Sequence, residues 1–207
     1  MTRPTKSALF AAARSWDADP VRTLVSAAPS LVTATDPKGR TALHLACAVK
    51  PGGAGLGEAS GIGTATALLD AEADLEAEVP MLEEGDFRAT PVWYAVSRGE
   101  NLPLVRFLLS RGADASHSLW ASVWRDDPVL LSVLLEGRPR LDLRAEGEMP
   151  IFYAARLRRL KTLDLLIDAG ADPAIRDPQG RDAVDIARAR RLPKPYIERL
   201  LALRAGT

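Results

Sequence analysis

His44 and Cys47 stand three residues apart in the phrase TALHLACAVK, where a helix would bring both side chains to one side. That pair suggests two chemistries: two ligands of a metal site, or a thiol with its general base. The composition argues against both. The 207 residues hold two histidines and one cysteine, so His117 is the only other ligand of this kind and a tetrahedral Cys/His zinc shell cannot be completed. One cysteine also makes no intramolecular disulfide, and its ordinary role is that of a small buried hydrophobe.

Gly55, Gly57 and Gly61 form a GxGxxxG run inside PGGAGLGEASGIG (residues 51–63), just ahead of ATALLDAEADLE. Glycines so spaced could bring backbone N–H groups against a pyrophosphate at a helix start, making this a nucleotide or small-ligand loop. That geometry needs a strand upstream. Here Leu43, Ala46 and Cys47 follow the i, i+3, i+4 spacing of an amphipathic helix instead, so the run is expected to be a flexible connection between two helices. Glu83, Glu84 and Asp86 lack the alternating ligand spacing of a calcium loop and read as solvated acid. Thr90 before Pro91 reads as a cap, its hydroxyl accepting a backbone N–H at a helix start.

The elements that carry these residues are helical by composition. The chain is 47% hydrophobic but only 5% aromatic, a core of Leu, Ala and Val. Its 27 basic and 27 acidic residues balance, which removes any general attraction to nucleic acid or anionic membrane. Locally the charge is uneven: residues 70–100 carry nine acids against two arginines, and residues 138–204 carry thirteen Arg and two Lys against ten acids. No apolar stretch approaches a membrane span, and MTRPTKSALFAAARSW is too short and charged for a secretory leader. The expectation is a cytoplasmic chain without cofactor. Its Ala- and Arg-rich composition matches a GC-rich bacterial genome.

Self-similarity organises the whole sequence. The phrases LFAAAR, LHLACA, VWYAVS, LWASVW, IFYAAR and VDIARA share an apolar–x–apolar–Ala frame with reference alanines at 11, 46, 95, 121, 154 and 187. Each phrase is followed by a second apolar segment, such as VRFLLSRGAD or LDLLIDAGAD, with Gly112 and Gly170 where a helix needs a left-handed residue after its end. The unit is helix, turn, helix, extended connection.

GRTALHLAC at 39–47, ATPVWYAV at 89–96, EMPIFYAA at 148–155 and the endings RGADA and AGADP resemble the ankyrin repeat family over nearly the whole chain. The resemblance implies an all-α ankyrin repeat solenoid, one domain of about six helix-turn-helix repeats with short β-hairpin fingers. The repeats fall near 5–35, 36–77, 78–115, 116–145, 146–176 and 177–207, with the Gly-rich insertion 51–63 in the second. Repeat three runs into repeat four at DASHSLWAS, so one finger is expected to be missing there. His44 is expected to be structural, and Trp16 to cover an open end.

The same resemblance implies a non-catalytic protein-interaction module, an adaptor or inhibitor-like binder, that meets its partner through finger tips and the exposed side of the first helices. Carried over by position, the tips include Lys38, Arg40, Phe87, Arg88, Glu146, Glu148, Gln179 and Arg181. The helix positions include Arg98, Trp124, Arg156, Arg158 and Arg190, with Phe87 and Trp124 as the expected anchors. Arg156, Arg158, Arg159, Arg188, Arg190 and Arg191 cluster on two consecutive first helices and suit an acidic protein segment better than nucleic acid, since no aromatics are interleaved with them. The partner is another protein, the chain a monomer; self-stacking through a repeat end is the structural alternative.

Overall fold

The computed structural model describes residues 3–52, 57–80, 88–145 and 147–206, together with the backbone but not the side chains of Glu58, Ser60 and Pro80. The chain divides into two compact units that meet in sequence between Asp114 and Ala115. The first holds α1 (Lys6–Arg14), α2 (Ala18–Ala27), α3 (Ala42–Cys47), α4 (Glu58–Asp70), α5 (Pro91–Tyr94) and α6 (Leu102–Ser110). The second holds α7 (Leu119–Arg125), α8 (Pro128–Glu136), α9 (Pro150–Leu157), α10 (Leu160–Asp168), α11 (Ala183–Ala189) and α12 (Lys194–Gly206). This is the all-α ankyrin-type arrangement expected from the repeat.

In each unit first helices pack on first helices and second on second. In the first unit α3 lies against α1 and α5, and α4 against α2 and α6; in the second α9 lies against α7 and α11, and α10 against α8 and α12. The apolar spacing explains the pairing. On α10, Thr162, Leu163, Leu166 and Ile167 are buried at i, i+1, i+4, i+5, and on α6, Leu104, Val105 and Leu108 do the same. Each fully buried Leu is worth roughly 1.5–3 kcal/mol, which no single pair of helices could collect alone.

Helix starts are set by local chemistry. Asn101 accepts from the Leu104 N–H at 3.1 Å and Asp127 from the Leu130 N–H at 3.0 Å, each with a proline at the first or second helical position. The turns between paired helices repeat one backbone shape: Trp16, Glu100, Asp126, Arg158 and Arg191 all take φ between 49° and 57°. A left-handed non-glycine residue costs about 1–2 kcal/mol, offset here by bonds across the turn such as Arg159 N–H to the Ala154 carbonyl at 2.9 Å.

Those bonds also correct the repeat frame. Asp17, Asp127, Arg159 and Leu192 donate to Ala12, Ser122, Ala154 and Ala187, so the reference positions in the first and fourth repeats are Ala12 and Ser122. The expected Ala11 is exposed and Ala121 half-buried, whereas Ala12 and Ser122 are buried. The small hydroxyl of Ser122 stands in for alanine by donating to the Leu119 carbonyl at 2.7 Å.

Between repeats two and three, β1 (Val79–Pro80) and β2 (Arg88–Ala89) pair antiparallel, Val79 opposite Ala89. No such arm separates α6 from α7; a 3₁₀ turn at Ser116–Ser118 fills that short connection. The second repeat has ten residues between α3 and α4, yet the glycine segment is not all connection. Gly57 precedes α4, and Gly61 and Gly63 lie within it. Gly61 is buried against Trp16: a Cβ there would come within 2.9 Å of the indole. Trp16 is likewise not an outer cover. It is 4% exposed, and its Nε1–H donates to the Ala46 carbonyl at 2.8 Å.

Candidate functional site

The His44–Cys47 pair is core structure. The Thr41 N–H donates to His44 Nδ1 at 3.1 Å, so the neutral ring carries its proton on Nε2, which faces the carbonyls of Ala77 at 3.0 Å and Ala89 at 3.3 Å. Burial lowers the imidazole from 6.5 to about 4, against the hydrogen bonds to Ala89 and Ala77 that favour its charge. The ring thus ties the start of α3 to the connection after α4 and to β2. Cys47 is fully buried, and burial pushes its thiol far above the ordinary value, away from a reactive thiolate. Among the described residues no group of three His, Cys, Asp or Glu side chains is placed to hold a metal ion.

Thr90 does not cap as expected. Its hydroxyl is buried without a hydrogen bond, because Trp93 stands three residues on where His44 follows Thr41. Before the glycine run lies the helix α3, so the strand required by a dinucleotide loop is not in place; Gly55 lies outside the described residues.

Two expected finger tips have the same construction. In DPKGR (36–40) and DPQGR (177–181), Gly39 and Gly180 at φ 80° and 76° close a turn whose Asp carboxylate accepts two backbone N–H groups and a guanidinium. Asp36 takes the N–H groups of Lys38 and Arg40 plus the Arg40 guanidinium at 2.6 Å; Asp177 takes those of Gln179 and Arg181 plus the Arg181 guanidinium at 2.7 Å. Lys38 and Gln179 remain exposed at the tips, while Arg40 is half-buried in its own turn. Arg88 lies on β2. Phe87 and Glu146 lie outside the described residues.

The helix positions are brought together most closely in the second unit. Arg156 on α9 makes a two-point ion pair with Glu148, 2.7 and 2.8 Å, and stacks over the Tyr153 ring at 5.2 Å. Arg158 donates to the carbonyls of Arg190 at 2.6 Å and Arg191 at 2.9 Å, closing the end of α11 from the neighbouring repeat. Trp124 is 58% exposed on α7, with the Arg159 guanidinium 5.9 Å from its ring centre. In the first unit Arg98 is exposed and lies over the buried Trp93 at 5.8 Å. Tyr153 and the Trp124–Arg159 stack escaped the sequence reading; a residue five positions past a repeat alanine carries no signal until the left-handed turn at Arg158 is known.

A family model for the ankyrin repeat matches residues 88–118 and 146–178. These segments contain β2, α5 and α6, and the connection before α9 with α9 and α10. These two segments are ankyrin repeats. Solved structures match its fold over almost their full length. An ankyrin repeat domain from Acinetobacter baumannii is 24% identical, with TM-score 0.71 over 97% of this chain and 99% of that one. A second ankyrin repeat protein is 23% identical, with TM-score 0.66 over 97% and 98%. The ankyrin repeat domain of Bcl-3, a member of the IkappaB family, is 21% identical, with TM-score 0.61 over 94% and 97%. No curated protein matches the chain by sequence. Ankyrin repeat domains are in general protein-interaction modules, and no helix among the described residues is long and apolar enough to cross a membrane.

Proposed function

We propose that this ankyrin repeat chain is a non-catalytic protein-interaction module, an adaptor or inhibitor-like binder, whose partner meets finger tips and the ends of the first helices. The observation that carries this reading is Trp124. The other three tryptophans, Trp16, Trp93 and Trp120, are 4%, 6% and 9% exposed, whereas Trp124 leaves 58% of its surface open on the end of a first helix. A rigid aromatic left outside a filled core is the kind of residue that anchors a partner, because it buries a large area with few rotatable bonds. The reading places the chain in the cytoplasm as a monomer that engages another protein rather than nucleic acid or membrane.

Affinity capture from native lysate tests it, comparing the wild type with a Phe87→Ala/Trp124→Ala double variant of equal stability. A protein held by the first and lost by the second supports the reading. Capture of nothing by either, with a thermal shift on addition of ATP, GTP or NAD, would replace it with the glycine-loop alternative.

A further inference from the structure

We propose that the arginines at the ends of α9 and α11, with Trp124 at their margin, receive an acidic segment of a partner protein that carries an apolar side chain. The inference rests on the interaction-module reading and adds the chemistry of the partner. Several of the chain's arginines pair with its own acids: Arg40 with Asp36, Arg181 with Asp177, Arg199 with Asp168 and Arg204 with Asp182. Arg158, Arg159, Arg188, Arg190 and Arg191 differ. Among the described residues none of the five has a carboxylate within ion-pair distance.

Contacts link four of the five, and Arg188 lies on the last turn of the same helix α11. Arg158 reaches the backbone of Arg190 and Arg191, and Arg159 stacks on Trp124, so an unbroken chain of contacts runs from α7 across α9 to α11 within one compact unit. The nearby acids are committed elsewhere: Asp126 accepts from Thr162 at 3.0 Å, and Asp127 caps α8. Arg188, Arg190 and Arg191 are exposed, and the Arg159 Nε–H is buried without an acceptor. Arginines at neighbouring helix ends without carboxylate partners leave positive charge that carboxylates of a partner can neutralise while forming two-point hydrogen bonds. Trp124 supplies the apolar contact. A peptide fits better than nucleic acid because Trp124 is the one exposed aromatic among the described residues, whereas single strands need successive stacking platforms.

Selection of a random displayed peptide library against the full chain, followed by affinity measurement on the enriched peptides, tests the inference. The expected peptides carry an excess of Asp and Glu around one aromatic or large aliphatic residue. Their affinity should fall at least about tenfold in an Arg188→Glu/Arg190→Glu/Arg191→Glu variant, recover with Lys at the same positions, and fall with rising salt. Trp124→Ala should weaken them separately. Circular dichroism and melting of each variant guard against misfolding. Enriched peptides without acidic excess, or with unchanged affinity for the charge-reversed variant, overturn the inference and leave the protein-interaction reading standing. No enrichment at all overturns both. A single-stranded oligonucleotide of equal charge that binds more tightly than the best peptide also overturns it, in favour of nucleic acid.

Discussion

Gly61 lies directly against the indole of Trp16, so near that a Cβ at Gly61 would come within 2.9 Å of two ring carbons. A glycine inside a helix ordinarily weakens it, but here the missing side chain makes room for the ring that joins the first repeat to the second. Gly61→Ala is therefore expected to destabilise the protein by roughly 1–3 kcal/mol through overpacking. Gly63→Ala, two residues on in α4, meets only the Ala18 methyl at an ordinary 3.9 Å and should stabilise by about 0.5–1 kcal/mol. Urea denaturation of the two variants checks the contrast.

His44 gives the fold a dependence on pH. Its folded value of about 4 lies below the ordinary 6.5, so between them the unfolded chain binds a proton that the folded chain does not. Stability should be fully present above pH 6.5 and lost as pH falls towards 4, by about 3 kcal/mol in all. The lowered carboxylates Asp36, Asp177 and Asp182 act in the same direction only as pH falls below their ordinary 3.8. A His44→Gln variant should be less stable at pH 7 and show a flatter profile between pH 4 and 6.5. An unchanged slope would mean that another group titrates there.

The last repeat is fastened by Asp182, 2% exposed, which caps α11 through the Asp185 N–H at 2.9 Å and receives the Arg204 guanidinium at 2.7 Å from α12. Although burial opposes it, these hydrogen bonds hold the Asp182 carboxyl below its ordinary range. Asp182→Ala removes a cap and the ion pair to Arg204, a loss of roughly 1–3 kcal/mol allowing for the partly exposed arginine. Hydrogen exchange should show α11 and α12 opening before the rest of the second unit.

Much of this was legible because it repeats. The apolar frame, the Thr-Ala-Leu-His phrase and the two DPxGR turns each state in sequence what the backbone does, since helix spacing and positive-φ glycines are local properties. Relationships between repeats were not legible. Nothing in the types of Trp16 and Gly61 says that they touch, and the one-residue shift to Ala12 and Ser122 becomes visible only through the left-handed turns that close those helices. The site divided in the same way. Trp124 was legible as a helix position, but that Arg156 would be engaged by Glu148, and that Arg159 would stack on the tryptophan, depends on tertiary contacts.

Trp124→Ala should separate binding from folding. The side chain is exposed, so its removal is expected to change stability by less than about 0.5 kcal/mol while costing a captured partner about 2 kcal/mol or more of affinity if it is an anchor. Thermal melting and titration calorimetry on the same preparations distinguish this from a core residue, whose loss would move both.

Hydrogen exchange of the full chain, free and saturated with its captured protein partner, tests the interaction-module account most directly. Slowed exchange should concentrate at the ends of the first helices, at residues 123–126, 156–160 and 188–192, and at the finger tips. Protection confined to residues 51–70, or to the outer second helices, would contradict it.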